Sequence, residues 1–323
     1  TKIAFVRREN TRSKLYVKDL ETGAERKIYD DLDQDVQETW AVTGVYPNMD
    51  WTPDSRSVVF WAGGKIRRVD ADGSNAREIP FTLNDTRGVA DAPHPAIPVE
   101  QASVEVTMPR FAEVSPDGRT VVFESLGRLY TMPAGGGAMR RLTRSDAGME
   151  LYPSWSRDGS RIVYVRWTDG GLGQIRTVSA SGSGDRAITD RPGHYERPTF
   201  SPDGSTIVYE RGGGGFLTAP EYSDNPGIYR MSASGGAQSL VSRSGSNPHF
   251  GAANDRIFMT ASSGGSQQLV SVDFNGEARR VHATGELVTG YHVSPSGKFF
   301  AFTENYDAFA MPLMPGGQEV TIS

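Results

Sequence analysis

Phe200–Glu210 reads FSPDGSTIVYE: an apolar residue, a tight turn, then a run rich in apolar positions. Pro202 pre-sets φ at about −65° for the first central position of a type I turn, and Asp203 takes the second. Gly204 then supplies the positive φ that returns the chain as an antiparallel partner. Copies of this unit recur. Pro47–Asp54, Pro109–Gly118, Pro153–Gly159 and Pro198–Gly204 carry it, and Pro248–Asp255 and Tyr291–Gly297 are weaker versions. Successive copies lie about 40 to 60 residues apart, the period of a four-stranded propeller blade with loop insertions.

Each turn is followed by a β-rich segment: Ser57–Phe60, Thr120–Phe123, Arg161–Tyr164, Thr206–Tyr209, Arg256–Met259 and Lys298–Phe302. A third segment follows in most units, as in Lys65–Val69, Arg128–Met132, Gln174–Val178, Gly227–Met231 and Gln268–Val272. There apolar and polar residues alternate with the period of a half-buried strand. A glycine-rich turn and a more polar fourth strand, such as Arg140–Thr143 or Arg186–Thr189, close the unit. No sustained helical spacing competes. The expected architecture is therefore all-β: a propeller of about six to seven four-stranded blades, one domain over residues 1–323, with Ile207 and Tyr209 filling the space between sheets.

The ends are informative in register. Lys2–Phe5 matches Thr206–Tyr209, and Lys14–Val17 matches the third strand. Thr1 thus stands where a turn has just ended, so the first blade is expected to lack its innermost strand. The tail Met314–Ser323 reads as the fourth strand of the last blade, which leaves no spare innermost strand. A piece of a longer chain is the expectation.

Composition narrows the functions. A net charge of −5 and a pI of about 5.6 leave no broad basic field for nucleic acid. The absence of cysteine excludes disulfides, thiol catalysis and thiolate-bound zinc. No apolar run approaches the roughly 20 residues of a membrane-spanning helix. The five histidines, His94, His194, His249, His282 and His292, form no H-x-H or H-E-x-x-H pair. No G-x-S-x-G elbow occurs. Glycine runs at 135–137 and 212–215 lack the lysine of a phosphate loop, and Asp30–Asp33 reads as a solvated acidic loop. No catalytic, cofactor or metal residue is assigned to this chain.

What remains is a surface. Tyr46, Glu150, Tyr152, Tyr195, Glu196, Arg197 and Tyr291 lie at or just before the starts of innermost strands, and His249 and His292 sit just inside two of them. Such residues either converge on the central tunnel to grip a peptide or partner loop, or cap blade ends. Two inserts flank them: residues 81–108, with the proline-rich Asp91–Pro98 extended on the surface, and residues 211–226, glycine-rich at the start.

The repeated S-P-D-G turn with its Ile-Val-aromatic strand resembles the β-propeller repeats of TolB-type proteins, over nearly the whole chain. A narrower set, Glu38–Pro47, Val59–Arg67, Asp85–Arg87, Gly193–Glu196 and Arg280–Thr284, is similar to the amino-terminal propeller of bacterial amidohydrolase-fused proteins. That resemblance implies a non-catalytic propeller that docks on or gates a metal-dependent C–N hydrolase barrel, with the divalent metal in that missing domain. The alternatives are a stand-alone TolB-like periplasmic protein-binding propeller and the propeller of a prolyl-oligopeptidase-type peptidase. The partner expected is a protein or the protein's own further domain; the charge argues against nucleic acid, and the family resemblance implies a periplasmic or secreted location.

Overall fold

A computed structural model describes residues 1–9, 12–33, 47–90, 103–213 and 225–322. Tyr46, His94, most of the Glu38–Pro47 stretch and the proline-rich Asp91–Pro98 lie outside the described residues, as do positions 214–224 of the second insert. The chain groups into two compact units, Thr1–Glu105 and, after it, Val106–Gly214 with Tyr222–Ser323.

The first unit holds a three-stranded sheet of β1 (Lys2–Glu9), β2 (Arg12–Asp19) and β3 (Glu25–Tyr29). It also holds a four-stranded sheet of β4 (Met49–Trp51), β5 (Ser57–Ala62), β6 (Lys65–Asp70) and β7 (Arg77–Glu78). The second unit carries five sheets. The first is β8 (Arg110–Val114), β9 (Thr120–Ser125), β10 (Arg128–Pro133) and β11 (Arg140–Arg141). Next come β12 (Met149–Trp155), β13 (Arg161–Thr168), β14 (Leu172–Ser179) and β15 (Arg186–Ala187). The third is β16 (Tyr195–Phe200), β17 (Thr206–Arg211), β18 (Gly227–Ser232) and β19 (Ser239–Ser242). The fourth begins with β20 (Ser246–Phe250), β21 (Ile257–Ser263), β22 (Ser266–Val272) and β23 (Arg280–Gly285). The last is β24 (Val288–Val293), β25 (Phe299–Glu304) and β26 (Asp307–Pro312), and β27 (Val320–Ile322) closes the chain. The fold is an all-β propeller of antiparallel blades.

Burial explains why the second strands read as unbroken apolar runs. Ile207, Val208 and Tyr209 are all fully buried. Ile207 and Tyr209 pack with Val163 and Val165 of the preceding sheet, whereas Val208 packs with Ile257 and Met259 of the following one. A strand covered on both faces has no solvent side on which to alternate. The core is thus a series of inter-sheet layers.

The turn is organised by a residue the Pro-Asp-Gly reading leaves out. The Ser201 hydroxyl donates to Asp203 Oδ1 at 2.6 Å and accepts the Thr206 amide at 2.9 Å. Asp203 Oδ1 in turn accepts the Ser205 amide at 3.0 Å, and Gly204 sits at φ +69°. The same set recurs at Thr52/Asp54, Ser115/Asp117 and Ser156/Asp158. Hydrogen bonds from Ser156 and Ser160 hold the Asp158 carboxyl down at about 2. The aspartate is a turn brace.

A backbone bond fixes the register of the first sheet. In five sheets the residue ending the turn accepts a bond from the residue after the third strand, as in Ala71 to Arg56, Ala134 to Arg119, Ala180 to Ser160, Ala233 to Ser205 and Leu313 to Lys298. In the first sheet Leu20 donates the equivalent bond to Thr1. Strands β1 to β3 therefore occupy the second to fourth places of the repeat, and among the described residues no strand pairs with β1 in the first place. The tail departs from expectation. Val320–Ile322 does not complete the last sheet but runs parallel to β23, with Ala283 opposite Val320 and Gly285 opposite Ile322. Ile322 there joins the buried Val288, Tyr291 and Phe302, an apolar contact that strand order alone does not reveal.

Candidate functional site

The first strands of the five sheets in the second unit line one cavity of about 590 Å3. Four of those strands share a distortion. The pairing of β8, β12, β16 and β20 with the next strand slips by one residue, between Arg110 and Glu113, Leu151 and Ser154, Glu196 and Thr199, and Ser246 and His249. The residue at each slip, Phe111, Tyr152, Arg197 or Asn247, has φ between +46° and +54°. A bulge with one residue in the left-handed region bends the strand and re-aims a side chain. Left-handed backbone on non-glycine residues costs on the order of 1 kcal/mol or more each. In three of the four the next residue is proline, Pro153, Pro198 and Pro248, which leaves no amide to be stranded by the lost pairing.

These four residues form the upper layer of the cavity wall. Phe111 and Tyr152 are in ring contact at 4.3 Å, and the Arg197 guanidinium lies 5.7 Å from the centre of the Tyr152 ring. Arg197 donates to Glu210 at 2.8 Å and also approaches Glu196 at 3.4 Å. Burial, then repulsion from Glu210, pushes the Glu196 carboxyl up. Glu210 also accepts the Asn247 amide at 2.6 Å, and the Asn247 side chain donates to the Tyr291 carbonyl at 3.0 Å. The layer is rigidly tied between sheets yet partly open.

The next layer is polar. Register places Glu113, Ser154, Thr199, His249 and His292 at equivalent positions, opposite Val122, Val163, Val208, Phe258 and Ala301. The Ser154 and Thr199 hydroxyls lie 3.3 Å apart, and the two imidazoles stack with centroids 4.4 Å apart. His249 is locked neutral. Its Nε2 accepts the Val293 amide at 2.8 Å, so the proton sits on Nδ1 and is donated to the Asn247 carbonyl at 2.7 Å. Burial, with His292 beside it, drives its pKa down to about 3. His292 is an exposed residue, its pKa lowered by desolvation and then by Arg157. Burial pushes the Glu113 carboxyl up to about 7, although it accepts the Trp155 amide at 3.3 Å.

Arg157 and Glu113 carry charge into the cavity and were not among the residues singled out from the sequence. Arg157 is visible only as a departure from the repeat, standing where Ser-Pro-Asp-Gly places proline. Glu113 stands where the other sheets of the second unit place a hydroxyl or an imidazole. Of the residues singled out, Tyr152, Arg197, His249 and His292 line the cavity, and Glu196 adjoins it through Arg197. Glu150, Tyr195 and Tyr291 are packed elsewhere. Glu150 is fully buried, paired with Arg166 at 2.9 Å and accepting the Leu129 amide and the Thr143 hydroxyl of the preceding sheet. Tyr195 donates to the Arg191 carbonyl at 3.0 Å, and Tyr291, its phenol pushed up to about 12 by burial, donates to the Gln267 carbonyl at 3.2 Å. His282 bonds Ser271 at 2.7 Å in a sealed position and is driven down to about 4 by burial. Among the described residues no group of three or more metal-ligating side chains gathers.

Comparison with known proteins agrees with this architecture. Residues 98–219 match the TolB β-propeller domain family. A stretch of 82 residues is 39% identical to the Tol-Pal system protein TolB of Francisella tularensis subsp. mediasiatica, covering 25% of this chain and 17% of that protein. The TolB of F. tularensis subsp. tularensis (strain WY96-3418) is 38% identical over 82 residues, again 17% of its length. Among solved structures, an oligogalacturonate lyase from Vibrio parahaemolyticus superposes with a TM-score of 0.50 at 7% identity, over 97% of this chain and 82% of that one. TolB from Acinetobacter baumannii gives 0.47 at 14% identity, over 96% and 75%. At 7% identity the likeness to the lyase speaks to fold alone. Residues 98–219 thus carry TolB-type β-propeller repeats, and the turn units at equivalent places in the other sheets are similar to them.

Proposed function

We propose that this chain is a protein-interaction propeller that takes an extended polypeptide segment into the cavity of its second unit. The observation that carries the reading is the bulge layer. Four successive first strands adopt a costly backbone, and each thereby presents a ring, a cation or an amide to the same cavity. Aromatic faces with a few fixed polar groups suit a peptide with alternating apolar and polar side chains. The segment belongs either to a separate protein or to a linked hydrolase domain. The amidohydrolase resemblance favours the linked domain, which would bring its own divalent metal; the TolB matches favour the separate partner. A periplasmic or secreted location belongs to the same proposal.

The test begins with 12-residue peptides selected from a random display library on the intact chain. Their affinity is then measured for the wild type and for a Tyr152→Ala/Arg197→Ala variant whose circular dichroism is unchanged. Truncating two central anchors is expected to weaken binding by about 30-fold or more. Equal affinity for both proteins would remove the cavity from the proposal.

A further inference from the structure

We propose that the turn end of this cavity is a carboxylate-binding site formed by Arg157 and His292. Arg157 leaves the turn after β12 and crosses to two other sheets, donating to the Pro295 carbonyl at 2.7 Å and the Gly251 carbonyl at 2.6 Å. Both acceptors are neutral. Among the described residues no carboxylate lies within ion-pairing distance of this guanidinium, in contrast to Arg110, Arg166 and Arg197, which each meet one. A partly desolvated cation held in place by carbonyls keeps its full charge and lacks the counter-ion that would repay its desolvation. Its pKa is lowered by burial accordingly.

His292 lines the same cavity and feels that charge. The residue is exposed and its ring stacks on His249, which is locked neutral by the Val293 amide and the Asn247 carbonyl. His292 is thus the ring free to take a proton when an anion arrives. The other groups of this layer are Ser154 and Thr199, two hydroxyls suited to an anion's oxygens, and Glu113. Glu113 has no cationic partner among the described residues and titrates near 7, so it sheds its negative charge as pH falls below neutrality. Protonation of His292 and of Glu113 act in the same direction. Loss of the Glu113 charge makes the site more receptive to an anion at pH 6 than at pH 8, and proton uptake by His292 on binding adds to it.

The inference names the chemistry of one anchor of the proposed peptide and rests on that reading only for its source. The carboxylate is an aspartate or glutamate side chain, or a chain's C-terminus. The experiment uses small probes: acetate, N-acetylaspartate α-amide for the side chain, and N-acetylglycine for the terminus. Each is titrated into the isotope-labelled chain against sodium chloride of equal ionic strength. The Val293 amide and the His292 ring signals are followed at pH 6 and pH 8. The expected result is saturable shifts at both groups with acetate, tighter at pH 6, a rise in the pKa of His292, and stronger binding of one of the two amino-acid probes. Arg157→Gln is expected to weaken binding about 10-fold or more. His292→Gln should keep the fold, abolish the imidazole titration and lose only the part of the pH dependence at the Val293 amide that His292 supplies, leaving that of Glu113. Shifts no greater than with chloride, or saturation equal in both variants, would overturn the site. Peptide capture that persists while the carboxylate probes fail would retire this site and leave the interaction reading standing.

Discussion

Glu113 is a carboxyl held far above the usual carboxylate range. Its carboxyl is raised from 4.5 to about 7 because the cavity wall desolvates it, with only the Trp155 amide and Ser154 to offset the loss. A carboxyl raised on folding favours the protonated native state. Its contribution is complete below pH 4.5 and is lost as pH rises through about 7. Glu113→Gln should therefore be more stable than wild type by roughly 2 kcal/mol at pH 8, with the difference vanishing near pH 4. Urea melts of both proteins across that range check this; a gap independent of pH would show that charge is not its origin. The turn aspartates show how much a sequence conveys at this scale. Pro202, Asp203 and Gly204 are legible as a turn from their dihedral preferences, and Gly204 has the expected positive φ. Ser201 was legible too in principle, since a hydroxyl two residues before an aspartate recurs in most copies, yet its double hydrogen bond appears only in three dimensions.

The bulge is the element that turns blade grammar into a site. Sequence places a proline within β12, β16 and β20, and the strand boundaries follow from apolar pattern. What the pattern does not convey is that the residue before that proline adopts the left-handed region, because a residue preceding proline ordinarily prefers extended backbone. Only the competing demand of cross-sheet bonds, such as the Asn247 amide on Glu210 and the Asn247 side chain on the Tyr291 carbonyl, settles the matter. The backbone itself makes a prediction at Tyr152, φ +53°. Tyr152→Gly relieves the backbone while losing the ring, whereas Tyr152→Val loses the ring and places a β-branched residue where it is least tolerated. The valine variant should be less stable than the glycine variant by about 1 kcal/mol or more. Thermal melts of the pair decide it, and equal stability would mean that the strand straightens. The same scale explains the misread tail. Val320–Ile322 is short and pairs parallel to β23, and no local pattern distinguishes that from an antiparallel closing strand.

At the scale of the molecule, repeat counting gave the all-β propeller fold, the order of strands within each blade and the places of β1 to β3 in the repeat. It gave less of the site. Positions near strand starts were chosen by sequence place alone, so they mixed cavity residues such as Tyr152 and Arg197 with packed ones such as Glu150 and Tyr291. The reading of residues 1–323 as one domain makes its own prediction. Trp51 and Trp61 report on the first unit, and Trp155 and Trp167 on the second. Single-tryptophan variants should unfold at one common midpoint in urea, and separated midpoints would mean two domains. The interaction reading is tested most directly by crosslinking. A photoreactive benzoylphenylalanine is placed at Phe111 in the cavity wall or, as a control, at the exposed Phe309 of β26, and irradiated with a selected peptide. The account predicts a peptide adduct from position 111 and none from 309. Adducts from 309 with none from 111 would contradict it.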